Sequence, residues 1–107
     1  MISYSDFQKI KLKVGKVLTA ENIKGSNKLL KLSVDVGESS PRTLVAGLAN
    51  IYRPEELIGK NIIVVTNMKP AKIFGVESNG MLLAAVNKDK VSILTTASDI
   101  EIGSEVE

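Results

Sequence analysis

The sequence contains no cysteine and no histidine. Without cysteine there is no disulfide framework, no thiolate nucleophile and no Cys-based zinc, haem or iron–sulfur site, and nothing points to an oxidising compartment. Without histidine, the Ser-His-Asp and Cys-His hydrolase patterns, His-ligated metals and the commonest general base near neutral pH are lost together. The expectation is a chain with no catalytic residue, no metal site and no cofactor. Tryptophan is also absent, and aromatics are 4% of the residues, only Tyr4, Phe7, Tyr52 and Phe74. That is too few for a platform on which a run of single-stranded bases could stack. The longest apolar runs, Ile62-Ile63-Val64-Val65 and Met81-Leu82-Leu83-Ala84-Ala85-Val86, fall far short of the roughly 20 residues of a membrane helix. The opening residues, Met1-Ile2-Ser3-Tyr4-Ser5-Asp6, lack the basic-then-apolar layout of a signal peptide. A cytoplasmic location without membrane contact is expected.

What is present fits one globular domain, residues 1–107, with 44% hydrophobic and 24% charged residues. A chain this short removes roughly 60–70% of its unfolded surface from water, so a second copy or a partner is a natural supplement. The net charge of +2 hides an asymmetry: through residue 72 there are 12 Lys+Arg against 6 Asp+Glu, and after it 2 against 6. Lysine supplies 12 of the 14 cations, the exceptions being Arg42 and Arg53. A flexible point charge suits phosphate contacts better than bidentate reading of base edges.

Along the chain, Ser5-Asp6-Phe7-Gln8 fits a capping box opening a turn or two of helix. Ile10, Leu12 and Val14 then alternate with Lys9, Lys11 and Lys13, a half-buried strand with a solvated lysine edge. Gly15 breaks the phase, as a bulge would in a sharply bent strand. Ile23 to Asn27 reads as a loop, and Leu30, Leu32, Val34 and Val36 alternate as a second strand. After the turn Gly37-Glu38-Ser39-Ser40-Pro41 comes a third strand, Arg42 to Ala46. Pro54 followed by Glu55-Glu56, with Gly59 beyond, marks a short helix whose acids face the positive end of its dipole rather than a metal. Asn61 to Asn67 and Met81 to Val86 read as fourth and fifth strands, apolar on both faces and so covered twice. Val91 to Thr95 and the acidic Asp99 to Val106 follow as short extended elements. The pattern predicts an all-β, five-stranded barrel of the oligonucleotide/oligosaccharide-binding (OB) type, with extra elements at both ends. The helix between strands three and four favours it over an SH3-like barrel.

The most distinctive segment joins strands four and five, from Asn67-Met68-Lys69-Pro70 through Lys72, Phe74, Gly75 and Ser78-Asn79-Gly80-Met81. Two lysines flank a stiff proline, and the glycines and small polar residues let a ligand approach the backbone. No Gly-Lys-Ser/Thr follows Gly75 or Gly80, so this is no P-loop. In an OB barrel this loop borders the binding face. With Leu30, Leu32 and Val34 inward, Lys31 and Ser33 face out, Lys28 stands at the mouth of the first loop, and Arg42 opens the neighbouring strand. Lys28, Arg42, Lys69 and Lys72, with Lys31, are expected to meet phosphates, and Ser33 to touch the same ligand. Asn67, Ser78 and the Gly80-Met81 backbone are expected to shape the pocket and hydrogen-bond to the ligand. Phe74, beside Ile73 and Val76, is expected to pack, and Lys88 and Lys90 in the acidic third to play no part.

Asn67-Met68-Lys69-Pro70, Lys72, Gly75 and Ser78-Asn79-Gly80-Met81-Leu82-Leu83-Ala84 together resemble the signature of a tRNA-binding domain. That domain occurs at the carboxyl end of many methionyl-tRNA synthetases, in stand-alone structure-specific tRNA-binding proteins and in endothelial-monocyte-activating-polypeptide-like proteins. Leu12 to Val17, Val34 to Gly37, Arg42 to Leu48 and Tyr52 to Lys60 are similar to its other elements. The first loop departs: of the family's His-Pro-x-Ala-Asp-Lys-Leu only Lys28 and Leu29 are kept, and Ala46 stands where many members have Ser. The resemblance implies a homodimeric OB barrel that binds tRNA by shape and assists a methionyl-tRNA synthetase catalytic chain without catalysing anything itself. Relatives of similar signature include export chaperones, the alternative function. The doubly apolar fourth and fifth strands also point to a homodimer.

Overall fold

In the computed structural model, which describes residues 1–107, the order is helix α1 (Tyr4–Phe7), strands β1 (Leu12–Asn22), β2 (Leu30–Asp35) and β3 (Arg42–Ala46), helix α2 (Pro54–Leu57) and strand β4 (Asn61–Val65). Then come β5 (Ala71–Ile73), β6 (Val76–Ser78), β7 (Met81–Leu82), β8 (Ala84–Asn87), β9 (Lys90–Ile93) and β10 (Glu105–Val106). The main sheet runs β3-β2-β1-β4-β7, and β10 pairs with β1. Where β3 and the β6–β7 segment meet, the Asn79 amide donates to the Thr43 carbonyl at 2.8 Å and the Val45 amide to Ser78 Oγ at 3.0 Å. These bonds bring the sheet round into a nearly closed OB barrel, with α2 between β3 and β4 as expected.

The inward side chains come from the period-two pattern. Leu30, Leu32 and Val34 of β2, Leu44 of β3 and Ile62 and Val64 of β4 are all buried, and Leu57 of α2 plugs one end. Fully burying each such side chain stabilises by about 1.5–3 kcal/mol. Gly15 lies where Val34, Val36 and Val64 converge: a Cβ there would come within 2.8 Å of Val34 Cγ1, 3.1 Å of Val64 Cγ2 and 3.2 Å of Val36 Cγ1. Its role is close packing. The register shift in β1 falls between Val17 and Thr19, not at Gly15.

Three local expectations are corrected. The first helix is capped by Ser3 rather than Ser5: Ser3 Oγ accepts from the Asp6 amide at 3.1 Å and Asp6 Oδ2 from the Ser3 amide at 3.3 Å. The Asp6 carboxylate is a charged acceptor, stronger than the Gln8 amide oxygen. Second, β4 is buried on both faces within one chain, Ile63 and Val65 being 8% and 6% exposed beside Val14 and Leu12. They need no cover from a second subunit. Third, Met81 to Val86 is not one strand. It breaks at Leu83, whose amide donates to the Ile63 carbonyl while its carbonyl accepts from Leu94. Beyond the break β8 leaves β4 and pairs with β9 as a separate hairpin, and Val86 is 69% exposed. No helix is long and apolar enough to cross a membrane.

Candidate nucleic-acid interface

Two chain segments frame the candidate site. The first is the loop between β1 and β2, where the Ser26 hydroxyl accepts from the amides of Lys28 and Leu29 and the Ser26 amide donates to the Ile23 carbonyl. These bonds, with Ile23 buried beneath and Gly25 at a φ of +87°, fix a tight loop that presents Lys24 and Lys28 to solvent. The second segment is the β5–β6 hairpin within the signature stretch. Phe74 and Gly75 form its two-residue turn with φ of +53° and +80°, the type I′ arrangement that matches strand twist.

The two segments meet. Phe74 Cε2 lies 3.3 Å from the position a Cβ on Gly25 would take, so the ring leans over the first loop. Phe74 is nevertheless 58% exposed, which corrects the expectation that it packs. A turn tip has neighbours on one side only.

The hairpin is joined to β3 by Ser78. Its hydroxyl accepts from Val45 and donates to the Gly80 carbonyl at 3.1 Å, and the side chain is buried. Both partners lie inside the fold, so Ser78 supports the site. Gly80 has a φ of +141° and lies so near β4 that a Cβ would meet the Val65 carbonyl at 3.1 Å. Met81 beside it is exposed. Asn67 clasps the N-terminal segment: Oδ1 accepts from the Lys11 amide at 2.9 Å and Nδ2 donates to the Lys9 carbonyl at 2.7 Å.

On the open face of the sheet, Ser33 forms a cross-strand row with Thr19 and Thr43, and Lys31 stands between Glu21 and Val45. Lys31 Nζ is 3.8 Å from Glu21 Oε1, an exposed pair of small energetic weight. Arg42 is not on this face. It is in register with Val34 and shares the inward side of β3 with Leu44. Its Nη1 donates to the carbonyls of Thr66 (2.7 Å) and Asn79 (3.1 Å), and its Nε and Nη2 hold both oxygens of Glu38 at 2.8 Å. The Glu38 hydrogen bonds raise the Arg42 pKa, and the guanidinium holds the Glu38 carboxyl below the usual carboxylate range. This places Arg42 as a clamp across the barrel end, with its charge already paired.

The free cations are lysines. Lys24, Lys28, Lys69 and Lys72 are exposed, and none has a carboxylate partner. Lys72 stands across the hairpin from Glu77 without closing an ion pair. Lys24 is not among the residues expected from the sequence, where its place in a breaker-rich loop beside Gly25 is the one available signal. Lys88 and Lys90 lie in the β8–β9 hairpin, apart from the main sheet. The Glu56 carboxylate caps α2 by accepting from the Arg53 amide at 2.7 Å, which holds its pKa low.

An OB barrel whose first loop and strand-four-to-five loop meet beside an open strand face, rimmed by unpaired lysines, defines a polyanion-binding module. Residues 12–105 match the model of the tRNA binding domain family, and the chain belongs to it. It is 55% identical over 106 residues to the methionine–tRNA ligase of Methanoregula boonei, which covers 99% of this chain but 16% of that protein. The Methanosarcina mazei methionine–tRNA ligase is 52% identical over 107 residues, again 99% of this chain and 15% of its own length. The chain thus spans about one sixth of these curated relatives. Among solved structures, the MetRS related protein from Pyrococcus horikoshii superposes with a TM-score of 0.93 at 44% identity, covering 100% of this chain and 98% of that one. The chaperone CsaA of Bacillus anthracis superposes with a TM-score of 0.90 at 28% identity, covering 100% and 99%.

Proposed function

We propose that this chain is a non-catalytic module that binds tRNA by shape and charge, as the beta subunit or carboxyl-terminal-type domain of a methionyl-tRNA synthetase. The observation that carries the reading is the set of unpaired lysines Lys24, Lys28 and Lys72 on the two segments that meet at Phe74 and Gly25, with Lys69 just ahead of the hairpin in the same signature loop. Compact ammonium groups on flexible stems recognise phosphates without reading bases. Linked to a catalytic chain, such a module raises the local concentration of tRNA and adds affinity without new chemistry. The module acts as a homodimer in which a second copy covers the β8–β9 hairpin, where Val86 and Ile51 line an exposed apolar surface.

The deciding experiment is an electrophoretic shift with total tRNA at two salt concentrations, beside capture of an unfolded protein. Salt-sensitive binding of several tRNAs supports the reading. Capture of unfolded chains with no tRNA shift would transfer it to a chaperone role, which the CsaA likeness brings into view.

A further inference from the structure

The position of Phe74 conflicts with the chemistry of its turn. A type I′ turn asks for Asn, Asp or Gly at its first central position, because a residue with a Cβ is disfavoured at a φ of +53°. The chain instead places one of its four aromatics there, 58% exposed, on the most prominent point of the hairpin. Local rules are broken in this way where a side chain is used for something other than folding. Packing on Gly25 occupies only part of the ring. The two segments that meet at the ring carry Lys72, in the hairpin, and Lys24 and Lys28, which flank Gly25 in the first loop, all exposed and without an ion-pair partner. Such a setting brings a phosphate backbone alongside an open aromatic surface.

We propose that Phe74 stacks on a single unpaired nucleobase of the bound RNA while the neighbouring lysines hold the flanking phosphates. One ring cannot hold a single-stranded run, but it is enough for one base turned out of a folded RNA. The inference rests on the tRNA-binding reading above and adds to it a requirement for an unpaired base.

The chain has no tryptophan, so Phe74→Trp places one fluorophore at the hairpin tip. Its emission is expected to be quenched by total tRNA and unchanged when a blunt-ended RNA duplex binds, since the duplex offers phosphates but no unpaired base. Phe74→Asn satisfies the turn and should keep or raise the melting temperature. It is expected to weaken tRNA binding about tenfold or more. Removing no charge, it should leave the salt slope and the affinity for the duplex as they are in the parent protein. Equal tRNA affinity of Phe74→Asn and the parent, or an unquenched Phe74→Trp bound to tRNA, overturns this proposal and leaves tRNA binding standing. A parent that binds no tRNA overturns the functional reading and this inference with it. A change in molecular mass in Phe74→Asn would assign the ring to a protein contact and overturn it as well.

Discussion

Arg42 and Glu38 are joined by two hydrogen bonds of 2.8 Å, and the same guanidinium reaches across the barrel end to the carbonyls of Thr66 and Asn79. One side chain thus ties the β2–β3 turn to the start and the end of the signature loop. Arg42→Ala is expected to lower stability by about 1–3 kcal/mol in urea unfolding. Arg42→Lys should recover only part of it, because an ammonium cannot reproduce the planar fork. The salt slope of tRNA binding should be unchanged in Arg42→Ala, since the charge removed is already paired.

Acid should open the same clamp. Folding lowers the Glu38 pKa through the Arg42 hydrogen bonds, so the stabilisation is complete above the ordinary glutamate value of about 4.3. It is lost as pH falls from there through the folded-state pKa. Melting temperatures recorded from about pH 6 down to about pH 3 should fall less steeply for Glu38→Gln than for the parent protein. Parallel curves would show that Glu38 does not contribute.

Ser78→Ala leaves the Val45 amide without its acceptor at the barrel seam. An orphaned, largely buried donor costs about 1–3 kcal/mol. The hairpin should also detach first, seen as faster amide exchange at Val45 and Asn79 than in the parent.

If a second copy covers the β8–β9 hairpin, Val86→Lys should convert a dimer to a monomer. Light scattering is expected to give twice the 11.5 kDa chain mass for the parent and 11.5 kDa for the variant. A parent of 11.5 kDa would end the homodimer proposal.

Some of this architecture could be read from residues alone. The alternation of Leu30, Leu32 and Val34 fixed the inward face of β2 because a one-residue slip would expose all three. The place of Pro54 with Glu55 and Glu56 set the helix that distinguishes an OB barrel. The inward place of Arg42 cannot be read from the sequence, because the third strand offers only Leu44 as a fully buried marker, and a charged residue in phase with it looks like a violation until its four hydrogen bonds are seen. The break at Leu83 is invisible in an unbroken apolar run, since it depends on which neighbours accept the Leu83 bonds. Within the site, the lysines of the signature loop were legible by type and spacing, whereas Ser78 facing inward and Phe74 facing outward follow from hairpin register within a segment read as a loop.

If unpaired lysines of the first loop and the signature loop hold tRNA phosphates, removing them must change how binding responds to salt. The salt slope of tRNA binding is to be measured for Lys69→Ala with Lys72→Ala and set against Lys88→Ala with Lys90→Ala. The first pair should weaken binding and shrink the slope by about 0.7–0.9 per lost phosphate contact. The second pair should leave affinity and slope as in the parent. An unchanged slope in a folded Lys69/Lys72 double variant, or equal loss from both pairs, would contradict the assignment.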